Sequence, residues 1–156
     1  MADTLTVTAR SAQHSHAPVS ADDFPALPLT LALPHCPQSV AGARRFARAV
    51  MIAQDVAEDL EDTVLLLVSE LVTNAIEHAA PPLVFHLDQP ADDTLRVSVD
   101  DGGPVTHHDN WHATCADDEH GRGTTLIAAL ADQHGAIERP DGHTTHWATL
   151  KTQNYQ

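Results

Sequence analysis

Basic side chains are scarce in this 156-residue chain: 8 Lys and Arg stand against 22 Asp and Glu, a formal net charge of −14. Nucleic-acid affinity comes largely from cations that release counterions from phosphate, so DNA and RNA are not expected as partners. By the same token, a phosphorylated ligand would have to be held by a metal ion, backbone N–H groups and a few local cations. Cysteine is nearly absent. Only Cys36 and Cys115 occur, far apart, which offers no disulfide framework and fits a reducing, cytoplasmic compartment. No apolar run approaches the roughly 18 residues of a membrane helix, and no basic segment leads into an apolar one near the N-terminus. Neither a membrane span nor export is therefore expected. Internal repeats are missing as well. What the chain does have is a 42% hydrophobic content, enough for one core and one domain. It also has 12 histidines, so its charge becomes much less negative as pH falls through the mid-sixes.

Residues 1–28 mix Thr, Ser, His, Asp and Pro with little periodic hydrophobicity and read as a flexible N-terminal tail. A domain is expected over 29–150, followed by a short C-terminal tail, 151–156. Leu29, Leu31 and Leu33 alternate as in a strand, and Pro34 and Pro37 punctuate its end. Ser39 can cap a helix whose apolar positions Val40, Ala43, Phe46, Val50 and Met51 have helical spacing. Asp59 or Asp62 can start a second helix, which runs through Val64 to Ala79 and is stopped by Pro81 and Pro82. Two alternating runs, Leu83-Phe85-Leu87 and Leu95-Val97-Val99, flank a polar turn at 89–93 and predict a β-hairpin. A polar loop spans Pro104 to His120. Gly121-Arg122-Gly123 then opens a third helix reaching about Asp132, and strands around 136–138 and 144–150 flank the turn Pro140-Asp141-Gly142. Because the strands pair locally, the order predicts an α+β fold: a two-layer sandwich with helices on one face of a mixed, mostly antiparallel sheet.

Three segments carry chemistry. In Ser69-Glu70-Leu71-Val72-Thr73-Asn74-Ala75-Ile76-Glu77-His78-Ala79, the residues Glu70, Asn74 and His78 recur every four positions, on one face of an otherwise apolar helix. An Asn oxygen can ligate Mg²⁺, and a carboxylate one turn earlier can hold or deprotonate a water or hydroxyl. On spacing alone, a pair that merely faces solvent is the more common arrangement. Asp100-Asp101-Gly102-Gly103-Pro104 puts two carboxylates at a strand end before glycines that let backbone approach a ligand, and such a carboxylate can accept from an amino group. Taken alone, it is an ordinary Asp-Gly turn. In Gly121-Arg122-Gly123-Thr124, glycines at a helix start expose N–H groups beside the one cation found within these motifs, an arrangement suited to phosphate. A flexible loop explains that segment as simply.

Together, in this order, the three segments resemble the N, G1 and G2 boxes of the GHKL (Bergerat-fold) ATPases. Within that superfamily, "SELVTNAIEHA", "DDGGP", "GRGTTLIAALAD" and "GHTTHWATL" are similar to the small bacterial anti-sigma-factor serine kinases and their ATP-binding relatives, over about Leu29 to Leu150. The resemblance implies ATP and Mg²⁺ as cofactors, with Asn74 as the Mg²⁺ ligand and Glu70 as general base or water-positioning group. It also implies that Gly121, Arg122, Gly123 and Thr124 lie around the phosphates, and that Thr145 lies near the adenine. The adenine-recognising carboxylate is Asp101 with Gly103 by strand parity from Leu95, Val97 and Val99, or Asp100 with Gly102 by the Asp-x-Gly-x-Pro pattern; parity favours Asp101. Thr124 replaces the aliphatic residue usual in the family, which puts the lid geometry in question. The implied activity is serine/threonine protein kinase chemistry on a partner protein. The implied partners are an anti-sigma antagonist or a sigma factor, with a homodimer left open.

Two alternatives stand beside it. A non-catalytic module could use nucleotide only to set lid conformation and partner choice. A metal-responsive protein could use the loop that holds His107, His108, Asp109, His112, Cys115, Asp117, Asp118 and His120, although no finger-like ligand spacing is present. Arg44, Arg45 and Arg48 form a basic turn that serves either to dock an acidic partner or to pair with neighbouring carboxylates. A complete sensor histidine kinase, a topoisomerase or a mismatch-repair ATPase would need further domains, and none is expected here.

Overall fold

The computed structural model describes residues 7–8 by backbone, and residues 27–105 and 125–152 in full. Its elements are β1 (Val7–Thr8), β2 (Leu29–Leu33), α1 (Gln38–Ala53), α2 (Glu58–His78), β3 (Leu83–Ala91), β4 (Thr94–Asp101), a helical stretch α3 (125–130), β5 (Gln133–Glu138) and β6 (Thr144–Lys151). The sheet order is β1-β2-β3-β4-β6-β5, and every pairing is antiparallel. The expected α+β architecture is present, with no parallel pair among the described residues.

Alternation along the strands decides which side chains meet the helices. Leu29, Leu31 and Leu33 of β2, Leu83, Phe85 and Leu87 of β3, Leu95, Val97 and Val99 of β4, and Ala148 and Leu150 of β6 are all buried on one face. Against them α2 brings Leu60, Val64, Leu67, Val68, Leu71, Val72 and Ala75, and α1 brings Ala43, Ala47, Val50 and Met51. Burying each large side chain of this set contributes about 1.5–3 kcal/mol. Phe46 meets Phe85 edge-on, with ring centroids 6.1 Å apart and planes at 84°.

Helix α2 starts with Glu58, Asp59 and Glu61 in its first turn, where carboxylates favour the positive dipole end, and stops at His78 ahead of Pro81 and Pro82. It begins one residue before the earlier of the two expected starts. Helix α1 departs from expectation at its N-terminus: it begins at Gln38, after Pro37, and Ser39 is the second helical residue. The Ser39 hydroxyl donates backward to the Pro34 carbonyl, tying the helix to the end of β2 without capping it. Arg44 donates to Ser69 Oγ and, at 3.2 Å, to the Leu65 carbonyl, which links α1 to α2. Arg48 lies 3.3 Å from Glu61 on the same seam. Two of the three clustered arginines therefore pair within the helical layer. Part of the N-terminal region joins the sheet, since Val7–Thr8 pairs with β2 at its edge.

Candidate functional site

The end of β4 is clamped to the end of α2. Gly102 N donates to the Ala80 carbonyl at 2.7 Å, Ala80 N to the Gly103 carbonyl at 2.8 Å, and Val105 N to the His78 carbonyl at 3.1 Å. A methyl group on Gly102 would run into the carbonyl oxygens of Pro81 and Ala80, so only glycine permits this approach. Gly103 has a φ of 92°, in the left-handed region, and a side chain there would meet the Gly142 carbonyl. These two glycines bring the acidic strand end beside the helix that carries Asn74.

Between them lies a cavity of about 610 Å³ whose walls include Leu71, Asn74 and His78 of α2, Asp101 of β4, Ile127 of α3, and Thr144 and His146 of β6. Strand β5 adds His134, Ala136 and Glu138. Asp101 is 2% exposed. Its Oδ1 accepts from Gly103 N at 2.7 Å, whereas its Oδ2 is fully buried with no hydrogen-bond partner among the described residues. A buried carboxylate oxygen left without a donor costs free energy of about 1–3 kcal/mol or more, so this oxygen is able to take a donor from a ligand.

Asp100 points the other way. Its Oδ1 accepts from Thr145 Oγ1 at 2.6 Å and from Arg139 Nη2 at 3.2 Å, and its Oδ2 lies 2.7 Å from His86 Nε2. His86 Nδ1 is in turn 3.0 Å from Thr30 Oγ1, which completes a polar network across four strands on the sheet face away from α1 and α2. Of the two adjacent carboxylates, then, only Asp101 lines the cavity with Asn74.

Thr145 belongs to the Asp100 network, and its neighbour Thr144 faces the cavity. The structure thus places the expected Thr145 with Asp100, and Thr144 among the cavity residues. The register pairs Asp101 with Thr144 and Asp100 with Thr145, and successive side chains alternate faces. Counting back by twos from buried Leu150 and Ala148 reaches Thr144, a signal present in the sequence. Glu70 sits one turn before Asn74, half-buried, and is not part of the cavity wall formed by the described residues. Gly121, Arg122, Gly123 and Thr124, and the histidine-rich loop with Cys115, lie outside the described residues. Leu71, on the helix that carries Asn74, and His146, two positions from Thr144, also line the cavity, while His134 and Glu138 reach it because the edge strand β5 pairs with β6, a contact that local sequence does not reveal.

As to what the cavity can hold, the unpaired Oδ2 of Asp101 suits a neutral N–H₂ donor such as the amino group of adenine, and the apolar wall of Leu71, Ile127 and Ala136 suits a flat ring. Asn74 offers an amide oxygen that Mg²⁺ can take. No group of three or more His, Cys, Asp or Glu able to hold a metal occurs among the described residues. No helix among them is long and apolar enough to cross a membrane. Comparison with family models matches residues 33–149 to the histidine kinase-like ATPase domain. No curated protein matches the chain as a relative.

Proposed function

The chain belongs to the histidine kinase-like ATPase domain family, and from that premise we propose that it is a Mg-ATP-dependent regulatory protein that binds adenine through Asp101. One observation carries the proposal: a buried carboxylate oxygen with no donor among the described residues faces the cavity that Asn74 also lines. Adenine's amino group would donate to Asp101 Oδ2, Thr144 would lie at the ring edge, and Gly103 N would keep the carboxylate oriented. Asn74 would hold Mg²⁺, and Gly121, Arg122, Gly123 and Thr124 would hold the phosphates. The metal would neutralise charge on the triphosphate in a chain that is itself strongly acidic.

The finer proposal, supported by the order and spacing of the three motifs, is a serine/threonine kinase of the anti-sigma type. Glu70 would accept the proton of a partner's hydroxyl as that oxygen attacks the γ-phosphorus, and partner switching would control transcription. A non-catalytic nucleotide-dependent binding module is favoured by one observation: Glu70 does not line the cavity wall formed by the described residues. Incubation with radiolabelled ATP and a captured partner separates the two, because label on the partner requires transfer. Binding is tested by calorimetric titration of ATP with and without Mg²⁺. Affinity is expected to depend on the metal and to fall about ten- to a hundredfold in Asn74→Ala, the scale of one lost bond to a charged group. Equal affinity of the two proteins would remove Asn74 from the site.

A further inference from the structure

We propose that His146 decides when the cavity accepts its purine: its imidazole competes with the purine amino group for the free oxygen of Asp101, so the neutral ring admits nucleotide and the protonated ring excludes it. This rests on the adenine reading above and adds a residue that reading does not use.

His146 Nε2 stands 3.4 Å from Asp101 Oδ2, near enough for charge attraction yet without hydrogen-bond geometry. The His146 side chain is 46% exposed and that of Asp101 is 1% exposed, so a proton from solvent reaches the imidazole while the carboxylate stays dry. Asp101 has one oxygen to contest, because Gly103 N already occupies Oδ1. The contest is unequal. An imidazolium forms a charge-assisted bond to a carboxylate, roughly twice as strong as one from a neutral donor, and a small rotation of His146 would supply it. A neutral imidazole has no such advantage over an amino group.

Other titratable side chains line the cavity. From α2 comes His78, beside Glu77 at 3.7 Å; from β5 come His134 and Glu138; β4 supplies Asp101; and α3 presents only Ile127 to the cavity. The triphosphate works in the opposite direction, since its negative charge favours an imidazolium. The proposal therefore requires local capture of Asp101 Oδ2 to outweigh that longer-range attraction, which solvent at the half-exposed His146 screens. By linkage, if protonation weakens nucleotide binding, nucleotide binding must expel the proton.

The test is Mg-ATP titration of the wild-type chain, His146→Gln and His146→Asn at about pH 8 and about pH 5.5, on either side of the ordinary histidine range. For each protein the ratio of the two dissociation constants is the readout, so titration of ATP and of the other cavity groups is common to all three. The wild-type ratio is expected to exceed that of both variants by about tenfold, the advantage of one charge-assisted bond. Calorimetry in two buffers of unlike ionisation enthalpy should show wild type releasing more protons on binding than either variant. Equal ratios in all three proteins, or a wild type that binds more tightly at low pH than the variants do, would overturn the role of His146 and leave the adenine site standing. Absence of ATP binding by wild type at about pH 8 would overturn both.

Discussion

Asp100 and Asp101 are neighbours in the chain and opposites in the structure. Asp100 faces away from the helices and is saturated by His86, Thr145 and Arg139. Asp101 faces the cavity, more deeply buried, with one oxygen bonded to Gly103 N and the other without a hydrogen-bond partner among the described residues. A carboxylate whose lone pairs are filled by its own fold stabilises that fold. One kept dry and unfilled raises the energy of the empty protein and has that energy to recover when a donor arrives.

The comparison is best broken by exchanging one atom on each side. Asp101→Asn retains an oxygen for Gly103 N and turns an amide N–H₂ toward the incoming amino group. ATP affinity is expected to fall about a hundredfold or more, as donor opposes donor. The same change removes a buried charge, so the thermal midpoint should hold or rise. Asp100→Asn should show the reverse pattern: a stability loss of about 1–2 kcal/mol from weakened bonds to Arg139 and His86, with ATP affinity within about twofold. Calorimetry and thermal melts on both variants measure the crossing. Identical patterns would mean the two faces do not differ in kind.

The glycines after them give a second, smaller contrast. Gly103→Ala forces a side chain into a left-handed backbone and against the Gly142 carbonyl, and should cost about 2 kcal/mol or more in urea denaturation, together with nucleotide affinity. Gly142 shares the left-handed φ but has open space where a side chain would stand. Gly142→Asn should cost under about 1 kcal/mol. On the helical layer, Arg44→Ala should destabilise by about 1–2 kcal/mol, because Ser69 Oγ loses a donor and the Leu65 carbonyl keeps only that of Ser69 beside its helical bond, while Arg48→Ala, an exposed side chain paired with half-buried Glu61, should cost about 1 kcal/mol or less.

The smallest effect belongs to Asp93, far from the cavity. A hydrogen bond from the Thr94 hydroxyl, and secondarily the Lys151 ammonium, hold its carboxyl below the ordinary aspartate value. Its folded value is depressed, so its stabilising contribution is present above the ordinary range and is lost as pH falls through the lowered value. Because the group is exposed, acid melts of wild type and Asp93→Asn should differ slightly, and high salt should remove only the part of that difference due to Lys151.

Much of this was legible beforehand because it is local. Helix α2 announces itself by periodicity and by the prolines after it, and the β3–β4 hairpin by two alternating runs around a polar turn. Parity along β4 likewise sets Asp101, and not Asp100, on the face shared by Leu95, Val97 and Val99. The N-terminus of α1 was not legible. A serine beside two prolines looks like a cap, but its hydroxyl finds the Pro34 carbonyl once β2 has fixed where that carbonyl points. Motif position points to Thr145, whereas strand parity places Thr144 on the cavity face.

The sequence by itself determined the periodicities, the acidic surface, the glycines that only a close backbone approach requires, and the order of motifs that marks the family. These depend on neighbours within a few positions, where covalent geometry and side-chain chemistry leave few choices. Tertiary structure alone decided that one oxygen of Asp101 would have no hydrogen-bond partner among the described residues, and that β5 and His146 would stand across the cavity from Asn74. Those facts depend on strand register and helix packing between segments far apart in the chain. A one-residue slip in that register would have exchanged every partner named here.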